Sequence, residues 1–381
     1  MPAAVVDCVS DARQDDHCEH RSQYESVTAP WRERATIVKL GFRRGKPAIA
    51  PLAEGNAMSI VSAPGTARAV AVAVLLLAGI SAVDGALAAE PIVIGTASPG
   101  GPYLAYGQGV ARILSRELKQ EVTAQATQGP AQNIVLLEKK EVMLAFITMG
   151  VGLQAWDGKD WTKGTRYRSM RVIFPMYDTA FQFVAAKRLG INWLDDLAGL
   201  RIGAGPRAGT GGAYLSEVFK ALGINVSIRY GAMASMGAQL TSGDLDGSVF
   251  ATGFPVPALT ELSAAQSVDF VRPSADQVAI IRKQMPEFSP SLVPAGTYPS
   301  QLQDYPTFGL YNFAVAHKEL PDDLVYRIVK AVFENRDELI KAQASAKETI
   351  PTNIGRNTTL PLHPGAARYY REHGIAIPAG L

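Results

Sequence analysis

A short apolar strand followed at once by a glycine-rich loop and a helix constrains this chain most. The strand is predicted over residues 92–94, the loop over residues 95–103 and the helix from near Ala105. Such a corner directs several backbone N–H groups at one place, and the helix dipole adds a partial positive charge. Glycines also allow a chain simply to turn tightly. The corner therefore predicts either an anion-binding loop or a tight turn within an α/β sheet.

The same arrangement occurs again further along the chain. A strand is predicted over residues 201–204, a glycine-rich loop over residues 205–212, and an amphipathic helix that ends at Gly223. Two glycine-rich corners, each on its own lobe, could hold a small anion from both sides.

Strands alternate with helices between the two corners and beyond them, which favours a mostly parallel sheet with helices on both faces. Ligands of such sheets bind beyond the carboxyl ends of the strands. A break is expected at Asp178 and Thr179, between strands 171–177 and 181–186. Past Val271 the chain is expected to be irregular as far as a strand over residues 308–316. The other strands are predicted over residues 122–127, 143–148, 226–230, 247–250 and 269–271.

Composition excludes some functions and favours export. The net charge of +2 gives no indication of a nucleic-acid partner. Both cysteines, Cys8 and Cys18, lie at the extreme N-terminus, and a chain otherwise free of cysteine is typical of an exported protein. His17 and His20 stand near Cys18, but no second Cys/His cluster follows at the spacing of a zinc site. We therefore predict no metal and no cofactor.

The N-terminal region divides into two segments. Residues 1–57 mix charged residues without periodicity, which predicts an unstructured extension or a non-native one from an over-extended reading frame. Residues 58–89 have the order of a signal peptide: a positive charge at Arg68, an apolar run over 69–80 and small residues at 86–88. The run is short for a membrane span of about 20 residues, although an uncleaved anchor is an alternative. The mature protein is expected to be periplasmic.

Polar and small residues at the strand ends are the candidate ligand-binding set. Ser98 offers a hydroxyl, Tyr103 could cover a ligand or pack in the core, and Asn133 could point its amide at the ligand or cap a helix. Arg207 suits a planar anion, because a guanidinium binds a carboxylate through two hydrogen bonds. The full candidate set is Ser98, Gly101, Tyr103, Thr127, Gln128, Asn133, Thr148, Tyr177, Arg207, Gly209, Thr210 and Gly211.

Enzymatic activity is the rival class, and the sequence gives it little support. It shows no nucleophile paired with a base, no carboxylate pair at recognisable spacing and no metal motif. The loop at residues 209–211 lacks the lysine of a P-loop. His317, His363 and His373 are isolated and are expected to be structural or exposed. The chain is therefore not predicted to be an enzyme.

Several stretches, taken together, resemble the TAXI group of extracytoplasmic solute receptors, which serve TRAP transporters. They occur in the order of that family and cover nearly all of residues 91–375. The matching stretches are residues 94–103, 128–133, 203–210, 294–299, 320–323 and 362–370. Pro102, Thr148 with Met149, and Arg207 stand where the family usually has other residue types, which puts the identity of the ligand in doubt.

The resemblance implies a two-lobed fold, similar to type II periplasmic binding proteins, with a hinge of crossing strands and a ligand in the cleft. One lobe would comprise residues 90–177 plus 273–381, and the other residues 178–272. The ligand would be a small organic anion, either a glutamate-like amino acid or a dicarboxylate or 2-oxoacid. The partner would be a TRAP-type membrane transporter, and the receptor would be a monomer. A sensor that presents its solute to a membrane signalling protein is the alternative.

Overall fold

The computed structural model describes residues 90–380. The extension expected over residues 1–57 and the signal peptide expected over 58–89 lie outside the described residues. Within residues 90–380, no helix combines the length and the apolar character that a membrane crossing needs.

The described chain alternates strands and helices. In chain order the strands are β1 (Ile92–Gly95), β2 (Val122–Gln125), β3 (Leu144–Thr148), β4 (Met170–Ala186), β5 (Arg201–Gly203), β6 (Ser227–Arg229), β7 (Gly247–Thr252), β8 (Val268–Val271), β9 (Ser289–Val293) and β10 (Tyr305–His317). The helices are α1 (Pro102–Leu118), α2 (Pro130–Glu138), α3 (Met149–Asp157), α4 (Thr210–Leu222), α5 (Met233–Ser242), α6 (Pro257–Ala264), α7 (Ala275–Gln284), α8 (Asp322–Glu334), α9 (Arg336–Ala342) and α10 (Pro364–Glu372).

One sheet runs through the molecule in the order β2-β1-β3-β10-β4-β7-β5-β6, with β8 beside β4 and β9 beside β10. Strands β1, β2 and β3 are parallel to one another, as are β5, β6 and β7. The long strands β4 and β10 are antiparallel to their neighbours and join these two groups. We call β1–β3 with their helices the first half and β5–β7 with theirs the second half. This confirms the predicted α/β fold with crossing strands.

The predicted break at Asp178 and Thr179 is wrong, because β4 is continuous over 17 residues. The register pairs Asp178 with Tyr311 and Thr179 with Leu310 of β10. The Asp178 carboxylate accepts a hydrogen bond from Ser291, so the charged residue has partners inside the sheet. A polar pair that suggested a turn in the sequence is therefore accommodated in a strand.

The prediction that the chain is irregular after Val271 is also wrong, because this region contains α7 and β9. A capping box at Ser274 and Gln277 starts α7, a signal that was present in the sequence. Helix α1 begins at Pro102 rather than near Ala105, since proline fits the first turn of a helix.

The proposed lobe boundaries stay a prediction, because all described residues belong to one compact unit. Helix α7 packs against α4, and its Gln277 donates a hydrogen bond to Asp195 at 2.9 Å. These contacts favour placing α7 with the second half.

The Asp178 side chain is half-buried in the middle of the joining strands. Burial raises the pKa of Asp178 to about 7, and the negative charge of Glu348 adds to this rise. The hydrogen bond from Ser291 and the positive charge of Arg356 oppose it. The backbone N–H of Asp178 donates to Glu348 Oε2 at 3.2 Å. Ionising this carboxyl in the folded protein is therefore unfavourable.

We predict that Asp178 makes stability fall with rising pH. A carboxyl whose pKa is raised by folding contributes stability that is fully present below its unfolded value of 3.8 and lost as pH rises through about 7. Across that window the free energy of unfolding should fall by up to about 1.4 kcal/mol per pH unit relative to Asp178→Asn. Urea unfolding at several pH values measures this slope. The exposed control Asp276→Asn should keep the wild-type slope, and equal slopes in Asp178→Asn and wild type would contradict the prediction.

Candidate functional site

A cavity of about 40 Å³ lies where the glycine-rich corners of the two halves meet. Its walls come from the loops after β1 and β2, the start of α4, the end of β7 and the middle of β4. The lining residues are Ala97, Ser98, Gly101, Tyr103, Gln128, Gly129, Pro130, Thr179, Ala204, Pro206, Gly209, Thr210, Gly211, Met233, Ala251 and Thr252.

The lining is uncharged and mostly apolar, with a few polar side chains. It includes the hydroxyl residues Ser98, Thr179, Thr210 and Thr252, and none of the described lining residues is Asp, Glu, Lys, Arg or His. The one titratable side chain among the described lining residues is Tyr103. Burial raises the pKa of its hydroxyl well above the ordinary value. The cavity therefore offers hydrogen bonds but no general base.

Three helices begin at the cavity wall. The residues that precede α1, α2 and α4 are Gly101, Gly129 and Gly209, and none of them makes a side-chain cap to its helix. The first N–H groups of a helix have no acceptor within the helix. The N–H groups of Thr210 and Gly211, at the start of α4, lack such an acceptor. Together with the helix dipoles, they give the cavity a positive potential without a formal charge.

The two halves touch each other around the cavity. The backbone N–H of Ala131 donates to the carbonyl of Ala208 at 3.1 Å, which joins α2 to the second corner. The hydroxyls of Thr148 and Thr210 lie 3.2 Å apart. These hydrogen bonds join the two halves beside the cavity, at a contact that we call the seam.

The seam continues where α3 meets α4. A Cβ on Gly150 would lie 2.2 Å from the hydroxyl oxygen of Tyr214, so only glycine allows this approach. Tyr214 is held in place, because its hydroxyl donates to Glu287 Oε1 at 2.8 Å and its ring packs edge-on against Phe288.

Tyr103 both lines the cavity and packs in the core. Its hydroxyl donates to Asn312 Oδ1 at 2.6 Å, and Thr179 donates to the same oxygen at 2.9 Å. The Asn312 amide in turn donates to the carbonyl of Tyr177 at 2.7 Å. This buried cluster fixes one cavity wall to the two joining strands.

Asn133 does not point into the cavity, and it does not cap α2. Its amide nitrogen donates to the carbonyls of Thr96 and Phe146 at 2.7 and 2.8 Å. Its oxygen accepts from the Thr127 hydroxyl at 2.7 Å. These polar atoms of Thr127 and Asn133 hold the ends of β1 and β3 against α2, and their expected contact with the ligand stays a prediction.

Arg207 was expected to bind the carboxylate of the ligand, and that role stays a prediction. Its side chain is exposed, does not line the cavity, and its guanidinium carbon lies 4.0 Å above the ring centre of Tyr230. The loop before α4 turns this residue outward, and the tyrosine face gives the cation a favourable contact.

The remaining expected residues separate into two groups. Ser98, Gly101, Tyr103, Gln128, Gly209, Thr210 and Gly211 line the cavity. Tyr177 and Thr148 do not: Tyr177 is buried behind Tyr103 with its hydroxyl unpartnered among the described residues, and Thr148 bonds to Thr210.

Sequence reasoning missed Thr179, Thr252 and Asn312. Thr179 was assigned to a break that does not exist, and Thr252 lies two residues beyond the predicted end of its strand. Asn312 could have been found, since an asparagine inside an apolar strand must be hydrogen-bonded if it is buried. Within residues 90–380, no three His, Cys, Asp or Glu side chains lie close enough together to hold a metal ion.

Comparison with known proteins agrees with this architecture. Residues 94–374 match the NMT1-like family. The structure is similar to that of MatC (Rpa3494) from Rhodopseudomonas palustris with bound malate, with a TM-score of 0.50 and 10% identity over 74% of this chain and 98% of that chain. It is also similar to the periplasmic binding protein BugD, with a TM-score of 0.48 and 13% identity over 75% of this chain and 98% of that one. At such identities the likeness to MatC establishes a shared fold.

We predict that Asn133→Ala destabilises the protein strongly. The change leaves two buried carbonyls with fewer donors and the Thr127 hydroxyl with one acceptor fewer, so the free energy of unfolding should fall by about 2–4 kcal/mol. Urea denaturation measures this loss. Lys139→Ala, an exposed change just after the same helix, should stay within about 0.5 kcal/mol of wild type. A similarly small change for Asn133→Ala would contradict the structural role.

We predict that Gly150→Ala separates the two halves. The added methyl group would overlap the Tyr214 hydroxyl, which cannot retreat because Glu287 and Phe288 hold it. Small-angle scattering should show a larger radius of gyration than for wild type. Gly355→Ala is the control, since nothing lies within 4 Å of its added Cβ. An unchanged radius in Gly150→Ala would show that the halves do not depend on this contact.

Proposed function

Because this chain belongs to the NMT1-like family and shares the fold of MatC, we propose that it is an extracytoplasmic solute receptor. It captures a small organic anion in the cavity between its halves and delivers it to a TRAP-type membrane transporter. The transporter class rests on the resemblance to the TAXI group, and export rests on the signal-peptide pattern of residues 58–89.

The observation that carries the proposal is the meeting of three helix N-termini around one uncharged cavity. The N–H groups at the starts of α1 and α4 come from opposite halves. An anion between them gains hydrogen bonds from both halves, whereas a neutral solute gains less from the helix dipoles. The cavity therefore selects for negative charge through backbone groups and hydroxyls rather than through a guanidinium.

The lining also distinguishes among organic anions. An amino acid would bring an α-ammonium group into a cavity whose described lining has no carboxylate to pair with it. Burying an unpaired charge is unfavourable. Dicarboxylates and 2-oxoacids therefore suit the cavity better than glutamate-like amino acids. The malate bound to MatC is an acid of this kind.

Capture requires the halves to open and close. The cavity of about 40 Å³ is close to the space of a few water molecules, so a solute enters only when the seam parts. A solute that contacts both halves favours the closed state by its greater affinity for that state. The closed form is then the one that the transporter recognises, and a monomer suffices for this cycle.

We predict that purified protein binds small dicarboxylates or 2-oxoacids, and that Ser98→Ala and Thr252→Val weaken this binding. Each variant removes one hydroxyl from the cavity, which should lower affinity about five- to tenfold. Isothermal titration calorimetry against dicarboxylates, 2-oxoacids, amino acids and neutral sugars measures both effects. Arg207→Ala is the matched control and should keep wild-type affinity, because its side chain lies outside the cavity.

Other outcomes would change the proposal in definite ways. Binding of sugars only would contradict the selection for negative charge. A strong loss in Arg207→Ala, with no loss in Ser98→Ala and Thr252→Val, would place the solute outside this cavity. Turnover of any of the compounds would favour an enzyme.

A further inference from the structure

One long, flexible side chain reaches the solute cavity from the second half, that of Met233, the first residue of α5. The other described lining residues of the second half are alanines, glycines, threonines and a proline, all of them smaller than methionine. Methionine is unbranched and turns about three side-chain bonds, so it fills irregular gaps. Met233 is therefore the side chain of this wall that occupies the most space.

Met233 lies at the mouth of the cavity. Its side chain is half-buried, so it extends between solvent and the cavity, whereas Thr210, Ala251 and Thr252 are buried. Gln128 is the exposed lining residue of the first half. The way from solvent into the cavity therefore runs past Met233.

Contacts with both corners hold the start of α5 in this place. The backbone N–H of Gly231 donates to the carbonyl of Gly205 at 3.1 Å, which joins α5 to the second corner. A Cβ on Gly205 would lie 3.6 Å from the methyl carbon of Met233. On the other side, a Cβ on Gly100 would lie 3.1 Å from the Cβ of Ala234, so the first corner contacts the same helix. Met233 is thus fixed between the two corners.

The thioether of Met233 can distinguish solutes by their size. It is apolar and at most a weak hydrogen-bond acceptor, so it offers no directional contact to an anion. The cavity holds only about 40 Å³, and the methionine occupies space at its mouth into which a longer solute would extend. One methylene group more or less in a close apolar contact changes affinity about 10- to 200-fold.

We propose that Met233 sets the maximum chain length of the acid that the cavity accepts. The proposal rests on the receptor function and adds a determinant of specificity to it. The carboxylate lies at the starts of α1 and α4, and the carbon chain extends toward Met233. A short acid is enclosed by the methionine, whereas a longer one overlaps the thioether.

The test is isothermal titration calorimetry of wild type and Met233→Ala against two homologous series. These are the 2-oxoacids from 2-oxopropanoate to 2-oxohexanoate and the dicarboxylates from malonate to adipate. Wild type is expected to bind short members of at least one series and to lose affinity at least tenfold at the methylene group that reaches Met233. Met233→Ala should raise the affinity for that longer acid, relative to the short one, at least tenfold, because it frees the space of the thioether.

Three further variants separate side-chain volume from other effects. Met233→Phe enlarges the side chain and should weaken the longest acid that wild type binds at least tenfold. Met233→Leu has nearly the same volume as wild type and should restore the wild-type length limit. The control Met143→Ala truncates another half-buried methionine, just before β3 and at the end of that strand remote from Thr148. It should keep the wild-type order of affinities.

Several results would overturn the proposal while the receptor function stands: equal affinity of wild type for all members of the series that binds, an unchanged order of affinities in both Met233→Ala and Met233→Phe, or an equal shift in Met143→Ala. Absence of binding of every acid to wild type would contradict the receptor function and this proposal with it. The two failures are therefore distinguishable.

Discussion

The structure depends above all on the antiparallel pairing of β4 with β10. These two strands are the central neighbours in the sheet, and they join the parallel strands of the first half to those of the second. Asn312 lies within this pairing and accepts from Tyr103 and Thr179 while donating to the carbonyl of Tyr177. A wall of the solute cavity is thus fixed directly to the strands about which the halves would have to move.

Much of the fold follows from local patterns in the sequence. The two glycine-rich corners were predictable, because a strand, small residues and an amphipathic helix occur in the same order twice. The predictions that failed concern residues whose partners are distant in the chain. A break was expected at Asp178, whereas the hydrogen bond from Ser291 and the pairing with Tyr311 hold this residue within a continuous strand. The direction of Arg207 likewise depends on the ring of Tyr230.

The cavity illustrates how a protein can favour an anion without a cationic side chain. Glycines before α1 and α4 provide no side-chain cap to these helices, and the hydroxyls of Ser98 and Thr252 supply neutral donors beside them. Asn133, which was expected to contact the ligand, holds the backbone that positions one of these helices. The residue types at a strand end therefore indicated where the site is, while the hydrogen-bond partners decided which side chains face it.

The central claim is that backbone groups from both halves hold an anion in the cavity. The most direct measurement is a two-dimensional ¹H–¹⁵N spectrum of labelled protein during titration with a dicarboxylate or 2-oxoacid that binds. We expect the amide signals of Tyr103, at the start of α1, and of Gly211, at the start of α4, to shift together and saturate at the same concentration. Shifts confined to one of these helices, or centred on residues far from both, would contradict the account.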